Sequence, residues 1–230
     1  MRIRYFHKAF IDTAQSLMHE FKDDNSNTLI ILGANALVHF NHNYEETIKG
    51  YDRVIVYNQE NYNVAKDFPW FNGLLDILHR ADEVWDYTES NIELFAQHGI
   101  TAKLHILKPY MAWNLYAPIQ KDIDILCYGT LTPRRQALID FLAQRYNVVS
   151  LEGTMGTENE GTFGSELDEY ILRSKILLNV HNNEIQFEQE QARMVKWLGA
   201  PCQIISERST HNYLNVPEMD YWELFCLQII

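Results

Sequence analysis

Short runs of consecutive apolar residues that alternate with helix-like segments constrain the fold of this chain most. Because neighbouring residues within each run are apolar, rather than every second one, the runs predict strands that are buried on both faces. Helical segments of about 10–15 residues lie between them, for example Arg134–Arg145 and Phe187–Leu198. This alternation predicts βαβ crossovers, parallel sheets and an α/β fold. The predicted strands are Thr28–Leu32, Arg53–Tyr57, Glu83–Tyr87, Lys103–Leu107, Asp124–Tyr128, Asn147–Leu151, Ile176–Val180 and Gln203–Ser206.

A proline-flanked stretch, Pro109–Pro118, interrupts this alternation near the middle of the chain. A chain of 230 residues is long for one domain and short for two, since domains commonly have about 100–150 residues. We therefore expect two half-size α/β units, residues 1–110 and 119–230, joined by this stretch.

The composition excludes several classes of protein. With 47% hydrophobic and 22% charged residues, the chain is too apolar to remain disordered. No stretch approaches the roughly 20 consecutive apolar residues of a membrane helix, and the N-terminus lacks the apolar segment of a signal peptide. We therefore expect a soluble, cytoplasmic protein. The net charge of −12 argues against a nucleic-acid-binding protein, which usually presents a basic face.

The cysteines and histidines give no pattern of metal ligands. The three cysteines are odd in number and far apart, and no CxxC pair occurs, so neither a zinc cluster nor a disulfide framework is expected. Cys127 and Cys226 lie in apolar runs and are predicted to be buried. The nine histidines show no HxxxH or HExxH spacing, which leaves a zinc hydrolase without support.

The segment Asp122–Arg135, DIDILCYGTLTPRR, contains a candidate anion site. A buried strand ends at Gly129, and a helix is predicted to begin near Pro133, which suits the first helical turn. The amides of a helix start favour an anion, and Arg134 and Arg135 place positive charge where a phosphate would lie. The alternative is that both arginines are solvated side chains on the surface.

Polar residues follow another predicted strand in the second half. The strand Ile176–Val180 delivers His181 to its carboxyl end, where ligands bind in open parallel sheets. Glu190, near the start of the next helix, could accept hydrogen bonds from ribose hydroxyls. The alternatives are a carboxylate favoured by the helix dipole for Glu190 and a structural, hydrogen-bonded histidine for His181.

Acidic residues follow two predicted strands in the first half. Glu60 and Asp86 would share one crevice if the strand ends converge, and either could act as a general base. For Asp86 the alternative is support of a helix cap formed by Thr88 or Ser90.

Four segments together resemble bacterial and phage glycosyltransferases of the two-Rossmann (GT-B) type. They are YNQE at Tyr57–Glu60, VWDYTESN at Val84–Asn91, DILCYGTLTPRR at Asp124–Arg135 and RSKILLNVH at Arg173–His181. Phe187–Glu207 continues the match, so the resemblance covers about residues 50 to 207. It implies two facing Rossmann-like domains, the N-terminal one on the acceptor side and the C-terminal one holding an activated sugar nucleotide. The location would be the cytoplasm of a bacterium or of a phage-infected host.

The resemblance also implies roles for individual residues. Glu60 and Asp86 would face the acceptor, and Gly129, Thr130 and either arginine, Arg134 or Arg135, would bound the diphosphate. Lys175 and His181 would line the donor crevice, and Glu190 would bind ribose. The chain departs from the family in being short and in having HNNEIQFEQE where retaining members have an EGFG-like signature. The stereochemical outcome is therefore left open.

From these motifs we expect no metal ion and no cofactor; the nucleotide sugar would be a co-substrate. Asp122-Ile123-Asp124 matches the DxD of metal-dependent glycosyltransferases, but it precedes its strand and so lies at the wrong end of the sheet. Three functions stay open. The first is sugar transfer from a nucleotide-diphosphate donor to an unknown acceptor, glycan rather than DNA. The others are a non-catalytic module that binds a nucleotide or partner, and a phage enzyme that glycosylates modified DNA bases.

Overall fold

The computed structural model describes residues 1–62, 69–100, 103–152, 161–184 and 188–228. The chain divides into two compact units, Met1–Ala112 and Trp113–Ile230. Each unit contains one parallel five-stranded sheet with helices packed on it. The acceptor and donor roles expected for the two units stay predictions.

The sheet of the N-terminal unit has its strands in sequence order, β1-β2-β3-β4-β5, and every neighbouring pair is parallel. A short 3₁₀ turn, Lys8–Phe10, precedes the first helix. The strands are β1 Arg2–Tyr5, β2 Thr28–Leu32, β3 Arg53–Tyr57, β4 Glu83–Asp86 and β5 Lys103–Ile106. The helices are α1 Ile11–Glu20, α2 Ala34–His39, α3 Tyr44–Ile48, α4 Phe71–Arg80 and α5 Glu89–Gln97.

Both faces of this sheet are packed because successive side chains of a strand point to opposite sides. In β2, Leu29 and Ile31 belong to a core formed with α2, α4 and α5. Ile30 and Leu32 belong to a second core, on the other face, with α1. All five β2 residues are buried, which explains the continuous apolar run.

The sheet of the C-terminal unit has the order β10-β9-β8-β6-β7 and is also parallel. Its strands are β6 Ile123–Tyr128, β7 Val148–Leu151, β8 Ser174–Asn179, β9 Gln203–Glu207 and β10 Glu218–Met219. Its helices are α6 Pro133–Leu142, α7 Gly164–Arg173 and α8 Gln191–Leu198, with a 3₁₀ turn at Glu223–Cys226. Helix α6 and the 3₁₀ turn cover one face, and α7 and α8 cover the other.

This strand order places β6, the first strand of the unit, between β7 on one side and β8 on the other. Strand β7 is added on one side of β6, and the later strands β8, β9 and β10 are added on the other, so the strand order reverses between β6 and β8. In open α/β sheets such a topological switch point leaves a crevice at the carboxyl ends of the strands, where ligands bind.

The eight strands predicted from the sequence are confirmed, each within two residues at either end. The two unpredicted strands, β1 and β10, each lie at one edge of a sheet; β1 is mostly exposed, and β10 has two residues. The helix predicted from Phe187 begins at Gln191 instead, and Phe187 itself lies outside the described residues. Cys127 is buried as predicted, whereas the prediction for Cys226 was wrong, because the short 3₁₀ turn leaves it exposed.

Candidate functional site

The candidate site lies at the carboxyl ends of β6 and β8, where the strand order reverses. Strand β6 ends at Tyr128 and is followed by Gly129, and Thr132 caps α6 by accepting the backbone N–H of Arg135. His181 follows β8 after one residue. Helices α6 and α8 therefore both begin near this edge.

Arg135 joins the ends of the two strands. Its Nε donates to the Val180 carbonyl at 2.9 Å, and its Nη1 donates to the Thr130 carbonyl at 2.8 Å. The side chain is only 8% exposed. Burial, together with the positive charge of Arg193, lowers the pKa of Arg135 to about 10. Arg135 thus holds backbone from both sides of the switch point.

Arg193, which the sequence reasoning missed, completes a buried ion cluster with Arg135 and Glu190. Glu190 Oε1 lies 3.3 Å from Arg135 Nη2, and its Oε2 lies 2.5 Å from Arg193 Nη2. Arg193 also donates to the Tyr128 carbonyl. The signal in the sequence was the i,i+3 spacing of Glu190 and Arg193, which places opposite charges side by side at a helix start.

Opposing effects act on the carboxyl of Glu190. Burial alone would raise its pKa, but the positive charges of Arg193 and Arg135 outweigh the burial, and His181 adds to them. The pKa of Glu190 therefore lies below its ordinary value, and the carboxylate stays ionised. Two guanidinium groups and one carboxylate give the cluster a net charge of about +1.

Gly129 permits both arginines to approach the end of β6. Its φ of +134° lies in the region that favours glycine. A Cβ at this position would lie 2.5 Å from Arg193 Nη1 and 2.9 Å from Arg135 Nη1. Any side chain here would displace the guanidinium groups. Thr130, the next residue, is exposed at the same edge.

Arg134 has a different set of partners. It forms a two-pronged ion pair with Glu207 at the end of β9, and its guanidinium lies 3.6 Å from the centre of the Tyr221 ring. Its side chain is 14% exposed. The alternative of two solvated surface arginines is therefore wrong for both Arg134 and Arg135, and Arg134 is already engaged by a protein carboxylate.

His181 is buried beside this pair, with 2% of its surface exposed. Its backbone N–H donates to Glu207 Oε2 at 2.8 Å, and its ring Nε2 lies 3.1 Å from the Arg208 carbonyl. Its Nδ1 is buried without a hydrogen-bond partner. His181 therefore lies at the expected edge with one polar atom unused.

The placement of Lys175 corrects the expectation that it lines the donor crevice. Lys175 is the second residue of β8, at the amino end of the sheet, and its Nζ lies 2.6 Å from Asp124 Oδ1. The neighbouring Asp122 pairs with Arg173 at 2.6 Å. Parallel strands carry their amino ends to the edge opposite the candidate site, so the DxD segment and Lys175 share that opposite edge.

In the N-terminal unit, Asp86 does not face a crevice as expected of a general base, because it is fully buried. Its Oδ2 accepts from Asn58 Nδ2 at 2.5 Å, and its Oδ1 accepts from Thr88 N at 2.8 Å. Asn91 Nδ2 lies within 3.2 Å of both oxygens. Burial raises the pKa of Asp86 to about 7, against the opposing effect of these donors. Thr88 caps α5, so the geometry favours the cap-supporting alternative.

The same network fixes the backbone at Glu60. Asn58 Nδ2 and Asn91 Nδ2 donate to the Glu60 carbonyl at 2.8 and 2.7 Å, and Glu60 N donates to Asn58 Oδ1 at 3.1 Å. Asn91 Oδ1 also accepts from Tyr62 N. Buried amide side chains, rather than a strand or a helix, therefore hold the segment that carries Glu60.

Comparison with curated proteins gives uncharacterised viral relatives. No family model matches the chain. The chain is 27% identical over 182 residues to uncharacterized protein L140 of Acanthamoeba polyphaga mimivirus, which covers 75% of this chain and 54% of that protein. The chain thus spans about half the length of this relative.

Comparison with solved structures identifies the fold. TarM matches with a TM-score of 0.50 at 8% identity, over 92% of this chain and 49% of TarM. A trehalose-6-phosphate synthase, studied for enzymatic glycosyltransfer with retention, matches with a TM-score of 0.48 at 11% identity, over 90% of this chain and 66% of that one. The likeness to TarM and the two parallel sheets confirm the predicted α/β class with two Rossmann-like units. Within the described residues, no helix has the length and apolarity needed to cross a membrane.

Proposed function

We propose that this chain is a glycosyltransferase that moves a sugar from a nucleotide-diphosphate sugar to an acceptor, without a metal ion. The observation that carries the proposal is the buried cluster of Arg135, Glu190 and Arg193 at the switch point of the C-terminal unit. It places net positive charge and two helix starts at the edge where an open α/β sheet binds ligands.

The cluster would act on the leaving group. Departure of the sugar leaves a second negative charge on the terminal phosphate, and fixed cations stabilise that charge without reorganisation. We assign the direct contact to Arg193, because its side chain is 16% exposed and that of Arg135 is 8% exposed. Arg135 is then a positioning residue that fixes the strand ends. Arg134 is also a positioning residue: it pairs with Glu207, which accepts a hydrogen bond from the backbone N–H of His181.

On the acceptor side, Glu60 is the proposed base of the N-terminal unit. Asp86 is reassigned to a positioning role, because its oxygens are occupied by Asn58, Thr88 and Asn91. The burial of Asp86 also favours the second candidate function, a module that binds a nucleotide without transfer. Turnover separates the two: the module would bind the donor and release no free sugar or nucleotide.

The test begins with a thermal-shift panel of UDP, GDP, dTDP, CMP, ADP and their sugars, with and without Mg²⁺. A ligand at 100 times its Kd stabilises a fold by about 2.7 kcal/mol, a shift of several degrees for a chain of this size. We expect one nucleotide diphosphate to give a shift that does not depend on Mg²⁺. If none shifts the melting temperature, the donor assignment fails.

Matched arginine variants locate the binding edge. Arg193→Gln should weaken nucleotide binding by about tenfold or more, since a hydrogen bond to a charged group contributes about 1.5–3 kcal/mol. Arg173→Gln is the control, because Arg173 also forms an ion pair but lies at the amino end of the sheet. Equal affinities of the two folded variants would contradict the assignment. Release of free sugar or nucleotide from the preferred donor, measured on the wild type, then separates enzyme from binding module.

A further inference from the structure

Two buried glutamines that flank Glu190 differ in their hydrogen bonding. Gln189 and Gln191 both have no exposed surface. Gln189 Nε2 donates to Asn212 Oδ1 at 3.1 Å, and its Oε1 accepts from Leu214 N at 2.9 Å. Neither the Nε2 nor the Oε1 of Gln191 has a hydrogen-bond partner. Among the described residues, Gln191 is the one side chain with two buried polar atoms that lack a partner. Leaving a buried amide unpartnered is unfavourable, so its presence calls for a reason.

Gln191 lies close in the chain to the ion cluster. It is the first residue of α8 and follows Glu190 of the ion cluster directly. His181 has a buried and unpartnered Nδ1 at the same edge of the sheet. Unpartnered buried polar atoms therefore occur on the residue that follows Glu190 in the chain and on the histidine that follows β8. The amide of Gln191 is neutral and can both donate and accept, so it suits hydroxyl and amide groups of a ligand rather than phosphate.

We propose that Gln191 is a specificity-determining residue that hydrogen-bonds the nucleoside or the sugar of the donor, an inference that rests on the proposed glycosyltransferase function. The amide is buried in the free protein, so contact with the donor requires the side chain to turn towards it. On binding, the Gln191 amide would gain hydrogen bonds that it lacks in the free protein. This gain favours the bound state and so raises the affinity for a ligand with matching groups. Pyrophosphate, which lacks such groups, gains nothing from Gln191.

The first test is the stability of the free protein. Methionine has nearly the size of glutamine and no amide, so Gln191→Met removes two unpartnered polar atoms without opening a cavity. We expect its melting temperature to rise by about 2–10 °C. Gln189→Met is the matched control and should lower the melting temperature, since it leaves the partners at Asn212 and Leu214 unpaired. A Gln191→Met protein that melts earlier than wild type, or does not fold, overturns the proposal.

The second test is binding by calorimetry with UDP or another preferred nucleotide, its sugar conjugate and pyrophosphate. Gln191→Met should weaken the nucleotide or the conjugate by about tenfold and leave pyrophosphate unchanged. A loss already present with the nucleotide assigns Gln191 to the nucleoside, and a loss confined to the conjugate assigns it to the sugar. Unchanged affinity for all three ligands overturns the role of Gln191 and leaves the proposed function standing. A wild type that binds none of them overturns the proposed function itself.

Discussion

The buried carboxyl of Asp86 should make the stability of this protein fall as the pH rises towards neutrality. Its pKa is about 7 in the folded protein and about 3.8 when the side chain is free in water. Between these values the folded state binds more protons than the unfolded state, so the free energy of unfolding decreases with increasing pH. Each pH unit within this interval contributes about 1.4 kcal/mol. From pH 5 to pH 8 the contribution of Asp86 should fall by about 2–3 kcal/mol, and above pH 8 it should be constant.

The perturbation is Asp86→Asn, and the assay is urea unfolding monitored by tryptophan fluorescence at pH 5, 6, 7 and 8. The variant loses stability at every pH, because its amide nitrogen meets the donors of Asn58 and Asn91. The informative quantity is the difference in unfolding free energy between wild type and variant, which should shrink by about 2–3 kcal/mol from pH 5 to pH 8. Asp140→Asn, at an exposed carboxyl, is the control. A difference that stays constant, or grows with pH, would refute the argument from burial.

Three further predictions concern the C-terminal unit. Glu190→Gln should lower the free energy of unfolding in urea by about 3–5 kcal/mol, because two buried guanidinium groups lose their carboxylate. Since the pKa of Glu190 is lowered in the folded protein, the stabilisation by its carboxylate should be fully present above pH 4.5 and lost as the pH falls below it. Gly129→Ala should destabilise more than Gly99→Ala, since both have a positive φ but no atom lies within 4 Å of a Cβ at Gly99; equal melting temperatures would contradict the packing of guanidinium groups on Gly129. Lys175→Met should change the unfolding free energy by less than about 1 kcal/mol and leave nucleotide affinity within about twofold, and a larger loss of affinity would return Lys175 to the donor site.

Much of the fold could be predicted from the sequence because burial on both faces leaves a mark on every position of a strand. In β2 and β3 the continuous apolar runs matched the observed bounds. Strand β1 leaves no such mark because it is mostly exposed, and β10 leaves none because it has only two residues. Thr88 as a helix cap was also foreseeable, because capping depends on residues three positions apart.

The candidate site was only partly predictable. Gly129, Arg135, His181 and Glu190 were identified because each follows a strand or begins a helix, and the sheet brings such positions to one edge. Lys175 was assigned to that edge although it begins its strand rather than ends it. The unpartnered amide of Gln191 could not be predicted from the sequence. Gln189 is the same residue type two positions earlier, yet its amide has hydrogen-bond partners and that of Gln191 has none.

The sequence by itself determined the α/β class, the strands and the ends of the sheet at which polar residues collect, because these follow from local periodicity and burial. The tertiary structure alone decided which charges meet. Arg134 and Arg135 are adjacent in the chain, yet one pairs with Glu207 of β9 and the other with Glu190 before α8. Ion pairs between residues 55 and 73 positions apart depend on strand order and helix placement, which no local pattern encodes.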